Sequence, residues 1–231
     1  MKKQLVATLF LLGYVMFTTN VFAQETTTFT AKDIKKLSLS GYIKVELVKS
    51  DEEKVVFTVS PAVKRLISVQ ASKGRISIKG ESNRLQQVVT QRPIIQVYYT
   101  QLEAIKAREE AYITGKEFIQ NEKLDLLATQ GSKMDLRVHT QDLKANVRTR
   151  AKVLLAGSSD VFRTKVKKGA SLKALDLKTN ICYVSAREQS GASVFVRETL
   201  YMSTGTGSLV QYQGNPKKVL KRRGISLSID F

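Results

Sequence analysis

The chain has 231 residues, 42% of them hydrophobic, and a formal net charge of +18 from 38 basic and 20 acidic side chains. A single cysteine, Cys182, excludes an intramolecular disulfide, and a single histidine, His139, excludes a multi-histidine metal centre. What remains is a fold held by core burial, with a field that favours anionic partners.

At the amino end, Lys2 and Lys3 precede an apolar run over residues 5–17, and "VFA" follows at 21–23. This pattern predicts a secretory signal peptide cleaved after Ala23, because the run is short of the about 20 residues a membrane span needs. Losing the two leader lysines takes the mature chain from +18 to +16. Export demotes nucleic acid as a partner. It promotes anionic glycans, lipid headgroups and lipopolysaccharide-like envelope polymers, with peripheral contact to a membrane at most. The expected location is the periplasm, the outer membrane or the cell surface.

Residues 24–33 read as a flexible, polar lead-in. Alternation then predicts strands over 34–39, 42–48 and 55–59, with turns at Ser40–Gly41 and at "SDEE". "SPAVKRL" reads as a short crossover of at most one helical turn. "ISVQASKGRISIKG" reads as a hairpin turning at Lys73–Gly74, "ESNRLQQVVTQR" as a polar loop and "IIQVYY" as a strand. "YTQLEAIKAREEAYITG" has helix-forming residues but is read as strand, turn, strand because a strand repeat follows it.

From Leu124 the chain repeats. Units begin at Leu124, Leu143, Phe162, Ile181 and Leu200, each 19 residues after the last. A second alternation starts at Met134, Val153 and Leu172, and less regularly at Val194 and Leu209. Small-residue corners, "KKGAS", "QSGAS" and "TGTGS", separate the alternations, where glycine supplies positive φ and Ala or Ser can stack. A fixed period with short strands predicts an all-β fold, a single-stranded right-handed parallel β-helix with coils of about 19–20 residues and an N-terminal hairpin region. It forms one domain over 34–231. A leucine-rich repeat would need an asparagine ladder, which is missing. The hairpin over 43–59 is expected to shield one end of the stack, and the charged tail after Pro216 the other.

"FRTKVKKGASLKAL", "YVSAREQSGASVFV" and "LYMSTGTGSLVQYQGNPKKV", with the closing "RRGISLSI", resemble the head GIN domain family of exported bacterial adhesin-like proteins. "IKKLSLSGYIKVELVKSDEEKVVFTVS" resembles that family's first hairpin, and "GRISIKG" and "IIQVYYTQLEAIKA" resemble its next strands. The resemblance implies a right-handed parallel β-helix associated with the cell envelope and no assigned activity. The chain departs from the pattern at "AREEA", "TQGSK" and "RTRAK", where the family carries "SGAS" corners, and it is far more basic.

Candidate chemistry is sparse. Asp125, Asp135 and Asp142 could supply a carboxylate pair for glycoside hydrolysis, but no acidic column recurs in adjacent coils. Glu109 and Glu110 fall in a corner, His139 at an exposed strand end, and the alternation points Cys182 outward between Ile181 and Tyr183. No phosphate loop, zinc-spaced cysteine set or calcium repeat is present, so no catalytic, cofactor or metal site is expected. The charge pattern stands out instead. At the repeat period Lys144 lies over Arg163, Asn146 beside Lys165 and Arg148 beside Lys167. Lys144, Arg148, Arg163, Lys165 and Lys167 are therefore the candidate polyanion-binding residues, and the tail adds Lys217, Lys218, Lys221, Arg222 and Arg223. The plainer reading is that these charges keep an envelope protein soluble. The expected function is a non-enzymatic binding module for anionic envelope polymers; the alternatives are a polysaccharide-processing β-helix enzyme and a structural scaffold.

Overall fold

The computed structural model describes residues 24–223. The predicted leader and the last eight residues of the tail, 224–231, lie outside the described residues.

The N-terminal part comprises β1 (Glu25–Thr30), β2 (Lys36–Ser40), β3 (Lys44–Lys49), β4 (Lys54–Val59), α1 (Pro61–Lys64), β5 (Ile67–Ser72), β6 (Arg75–Gly80), α2 (Ser82–Val88), β7 (Ile94–Tyr99) and β8 (Ala104–Arg108). The repeats follow as β9 (Tyr112–Ala128), β10 (Lys133–Arg148), β11 (Lys152–Lys167), β12 (Ser171–Ala186), β13 (Gly191–Thr204), β14 (Leu209–Gln213) and β15 (Lys218–Arg223). The fold is an all-β parallel solenoid, as the period predicted. Each long repeat strand serves two walls. The first part of β9 pairs with β3, its last part with β8, and β13 likewise pairs with β14 and then β15.

Alternation fills the space between the walls. In the first wall Ile113, Met134, Val153, Leu172, Ala192 and Val210 stack in one buried column. In the second wall the column runs Leu124, Leu143, Phe162, Cys182, Leu200. The fourth member is a correction: Cys182, not Ile181, faces inward. The register shifts between Leu154 and Ala156, so Lys173 pairs with Leu154 but Asp176 with Ala156. One extra residue in β12 forms a bulge that lengthens that coil, and further shifts between β12 and β13 restore the column at Leu200. A strict period cannot reveal where a bulge falls. A one-residue slip exchanges the inward and outward sets.

Non-consecutive pairing governs the N-terminal end. The β2–β3 coil sits between β6–β7 on one side and β8–β9 on the other. The hairpin expected over 43–59 therefore does not form: β7 separates β3 from β4 and pairs with both. The expected N-terminal hairpin region is nevertheless present and closes this end, built from the antiparallel strands β4 and β1 on the first wall and β5 on the second. β1 occupies the segment expected to be flexible; Thr26 and Thr58 hydroxyls meet at 2.8 Å, and Lys64 pairs with Glu25 at 2.6 Å. The expected polar loop after β6 contains α2, anchored by Leu85, which is fully buried. The hairpin turning at Lys73–Gly74 forms as predicted.

The corners use left-handed backbone at paired positions, such as Thr149–Arg150 and Lys168–Gly169. The corner before the "QSGAS" alternation takes its left-handed pair from Glu188 and Gln189, and Gly191 has no positive φ. The small residues Ala111, Ser132, Ala151, Ala170 and Ser190 are the buried inner faces of successive corners. Ser190 Oγ satisfies its own burial by accepting from the Arg187 N–H at 3.0 Å and donating to the Val166 carbonyl at 2.8 Å.

Glu53, in the turn before β4, ties the N-terminal loops together. Its carboxylate accepts the Ile34 N–H at 2.9 Å and the Thr100 hydroxyl at 2.7 Å. Burial would raise its pKa, but the hydrogen bonds from Thr100 and from the Ile34, Thr100 and Asp33 backbone outweigh it and hold the carboxyl below its usual range. A depressed folded-state pKa contributes stability that is present above the unfolded value of about 4.3 and disappears as pH falls through the folded value. Glu53→Gln should therefore show a shallower loss of melting temperature in acid than the parent. Matching pH profiles would remove Glu53 from the acid response.

Candidate functional site

Outward residues of the second wall form columns perpendicular to the strands. Lys144 pairs in register with Arg163, Asn146 with Lys165, and Arg148 with Lys167, as the repeat spacing predicted. The columns also have ends. Asp125 lies on the other side of Lys144 from Arg163, and Tyr183 follows Arg163. Arg163 donates to Asp142 at 2.5 Å and stands over the Tyr183 ring at 5.5 Å. Tyr183 stacks on Tyr201 with centroids 4.5 Å apart. Lys144 and Arg163 thus share an open cleft of about 610 Å³ with Lys36, Lys123, Asp125 and Asp142. Charge there is mixed, and it becomes uniformly basic toward Lys165, Lys167 and Arg148.

The interleaved coils extend this wall with cations that the repeat alone did not indicate. Ser40 of β2 lies between Lys79 of β6 and Arg108 of β8, and Ser38 pairs with Lys106. Their outward alternation is visible in "GRISIKG" and "IKAR". Their membership of the same wall follows only from β2 lying between β6 and β8.

The other candidates separate. Asp125 is on the second wall, while Asp135 is on the first, paired with Thr114 and Leu154, so the two cannot flank one glycosidic bond. Asp142 is engaged by Arg163. Ser158 Oγ lies 2.6 Å from His139 Nδ1 in a second open cleft. Among the described residues no carboxylate hydrogen-bonds the other ring nitrogen, so the orienting member of a triad is missing. Glu109 and Glu110 are exposed, left-handed corner residues. Among the described residues no group of three His, Cys, Asp or Glu side chains is arranged to hold a metal ion.

Cys182, expected to point outward, is fully buried, and burial pushes its thiol well above the usual range. A buried neutral thiol is a poor nucleophile. Cys182 should resist maleimide labelling in the folded protein and react fully once denatured; labelling at the rate of a free thiol in the native state would contradict this placement.

The family described as "Putative auto-transporter adhesin, head GIN domain" (DUF2807) matches residues 33–216. The chain belongs to this family. The head GIN chain is also similar in fold to a "putative adhesin" from Bacteroides fragilis, at 14% identity and a TM-score of 0.77, covering 87% of this chain and 93% of that one. A "putative adhesin" from Parabacteroides merdae matches at 14% identity and a TM-score of 0.64, covering 87% and 94%. A "putative lipid binding protein" from Parabacteroides distasonis matches at 13% identity and a TM-score of 0.65, covering 86% and 94%. Likeness at these identities speaks for the fold. No curated protein matches the chain significantly. Family membership supports an adhesin-like role at the cell envelope.

Proposed function

We propose that this head GIN protein is a non-enzymatic envelope module that binds anionic glycans or related envelope polymers through its basic second wall. One observation carries the reading: Lys144, Arg148, Arg163, Lys165 and Lys167 share outward positions of adjacent, hydrogen-bonded coils. Cations on a rigid sheet need little backbone ordering when a ligand arrives, so the cost of binding falls on their side chains. Each exposed contact contributes only roughly 0–1 kcal/mol, so useful affinity requires several together. Binding should weaken steeply with salt, since screening at physiological ionic strength shortens the range to about 8 Å. The relative described as lipid-binding makes an anionic headgroup the competing source of the same chemistry.

The test replaces all five cations by glutamine. Glutamine is preferable to glutamate at Arg163, where a new carboxylate would face Asp142. The variant should lose retention on an acidic-glycan column at low salt while keeping the parent's circular dichroism. Retention equal to the parent's would reduce the wall to a solubility device.

A further inference from the structure

The cations continue around the sharp corner from the second wall onto the first. Arg148 pairs with Lys167 on the second wall, and Lys133 with Lys152 on the first. Between them, at the corner itself, the Arg150 N–H donates to the Lys168 carbonyl at 2.9 Å. Lys133, Arg148, Arg150, Lys152 and Lys168 are exposed, and among the described residues none of them is ion-paired.

Direction follows from what bounds this cluster. Along the solenoid axis its corner positions end quickly. The corner is closed by Glu109 and Glu110 on one side and by Glu188, whose carbonyl accepts the Gly169 N–H, on the other. The Lys144–Arg163 column likewise runs into Asp125 and Tyr183. At the corner, and on the Asp125 side of the Lys144–Arg163 column, an axial path meets a carboxylate within one or two steps of about 4.8 Å. The Arg148–Lys167 column stays basic along the axis toward Arg108 and Lys79, but a chain laid on it would leave Lys133, Arg150, Lys152 and Lys168 unused. Along a coil the sign persists: Arg163, Lys165, Lys167, Lys168 and Lys173 follow one another, and Lys144, Arg148, Arg150 and Lys152 run beside them on the adjacent coil.

We infer that the ligand is a linear acidic glycan that crosses the solenoid, following the β10 and β11 coils over the corner, and that Lys133, Arg150, Lys152 and Lys168 complete its site. This rests on the basic-wall reading above and adds a direction, a length and residues to it. The path from Arg163 to Lys173 is roughly 30 Å at about 3.3 Å per residue, a span covered by about six sugars. A flat bilayer touches one wall or the corner edge, but not cations on both sides of a convex corner. A flexible chain can wrap around it.

The experiment uses the mature chain, heparin fragments of defined length, and phosphatidylglycerol vesicles. The corner variant carries Lys133→Gln, Arg150→Asn, Lys152→Gln and Lys168→Asn; asparagine tolerates the left-handed backbone at the two corner positions. Affinity of the parent should rise with fragment length and level off near six sugars. The corner variant should bind such a fragment about ten-fold or more weakly, with an unchanged melting temperature. If the corner variant binds like the parent while the five-glutamine wall variant does not, the crossing path is wrong and the wall reading survives. If the parent does not bind heparin at low salt, both fail. If only vesicle binding responds to the corner substitutions, a lipid surface is the ligand and the glycan path is overturned.

Discussion

Phe162→Ala should destabilise the head GIN solenoid by about 3–5 kcal/mol. Phe162 is fully buried in the middle of the stack, held between Leu143 and Cys182 by strands paired on both sides. Those strands are fixed at the sheet spacing by continuous hydrogen bonding, so the walls cannot close over the space a missing ring leaves. The full cavity term therefore adds to the lost transfer energy. For a chain of this size the melting temperature should fall by on the order of 10 °C. Phe162→Leu, which keeps most of the volume, should lose less. A chemical-denaturation curve placing Phe162→Ala within about 1 kcal/mol of the parent would mean the column is not packed as described.

Gly157→Val should be at least as damaging, for a backbone reason. Gly157 has φ +115°, and a Cβ there would lie 2.0 Å from the Val138 carbonyl oxygen and 3.0 Å from Phe118 Cε1. The nearer obstacle is backbone in the adjacent coil, which cannot rotate away, and the conformation itself is strained for any L side chain. The expected loss is roughly 3 kcal/mol or more, seen as a collapse in soluble yield or in the unfolding midpoint. Gly191→Ala is the matched control. Gly191 lies in the "QSGAS" motif, a Cβ there meets nothing within 4 Å, and its φ is not positive. Its stability should stay within about 0.5 kcal/mol of the parent. Comparable losses at both glycines would show that the motif, and not the local contact, sets the requirement.

Both substitutions lie in the repeats, where the sequence by itself determined most of the architecture. The apolar alternation, the spacing of Leu124, Leu143 and Phe162 and the small inner corner residues are local properties, repeated until one arrangement buries them all. The pairing of Lys144 with Arg163 and of Arg148 with Lys167 follows from the same spacing, so the nucleus of the candidate site was legible. Tertiary structure decided the rest. The bulge that turns Cys182 inward depends on how β12 fits between β11 and β13. The hairpin expected at 43–59 is opened by β7, a strand about fifty residues further along the chain, because backbone pairing recognises a free edge and not sequence proximity. That same interleaving brings Lys79, Lys106 and Arg108 onto the basic wall. It also decides which charges neutralise one another: Asp142 sits two residues from Lys144 but binds Arg163 of the next coil, since in a solenoid the nearest ionic neighbour is set by the 4.8 Å step between coils as much as by the chain.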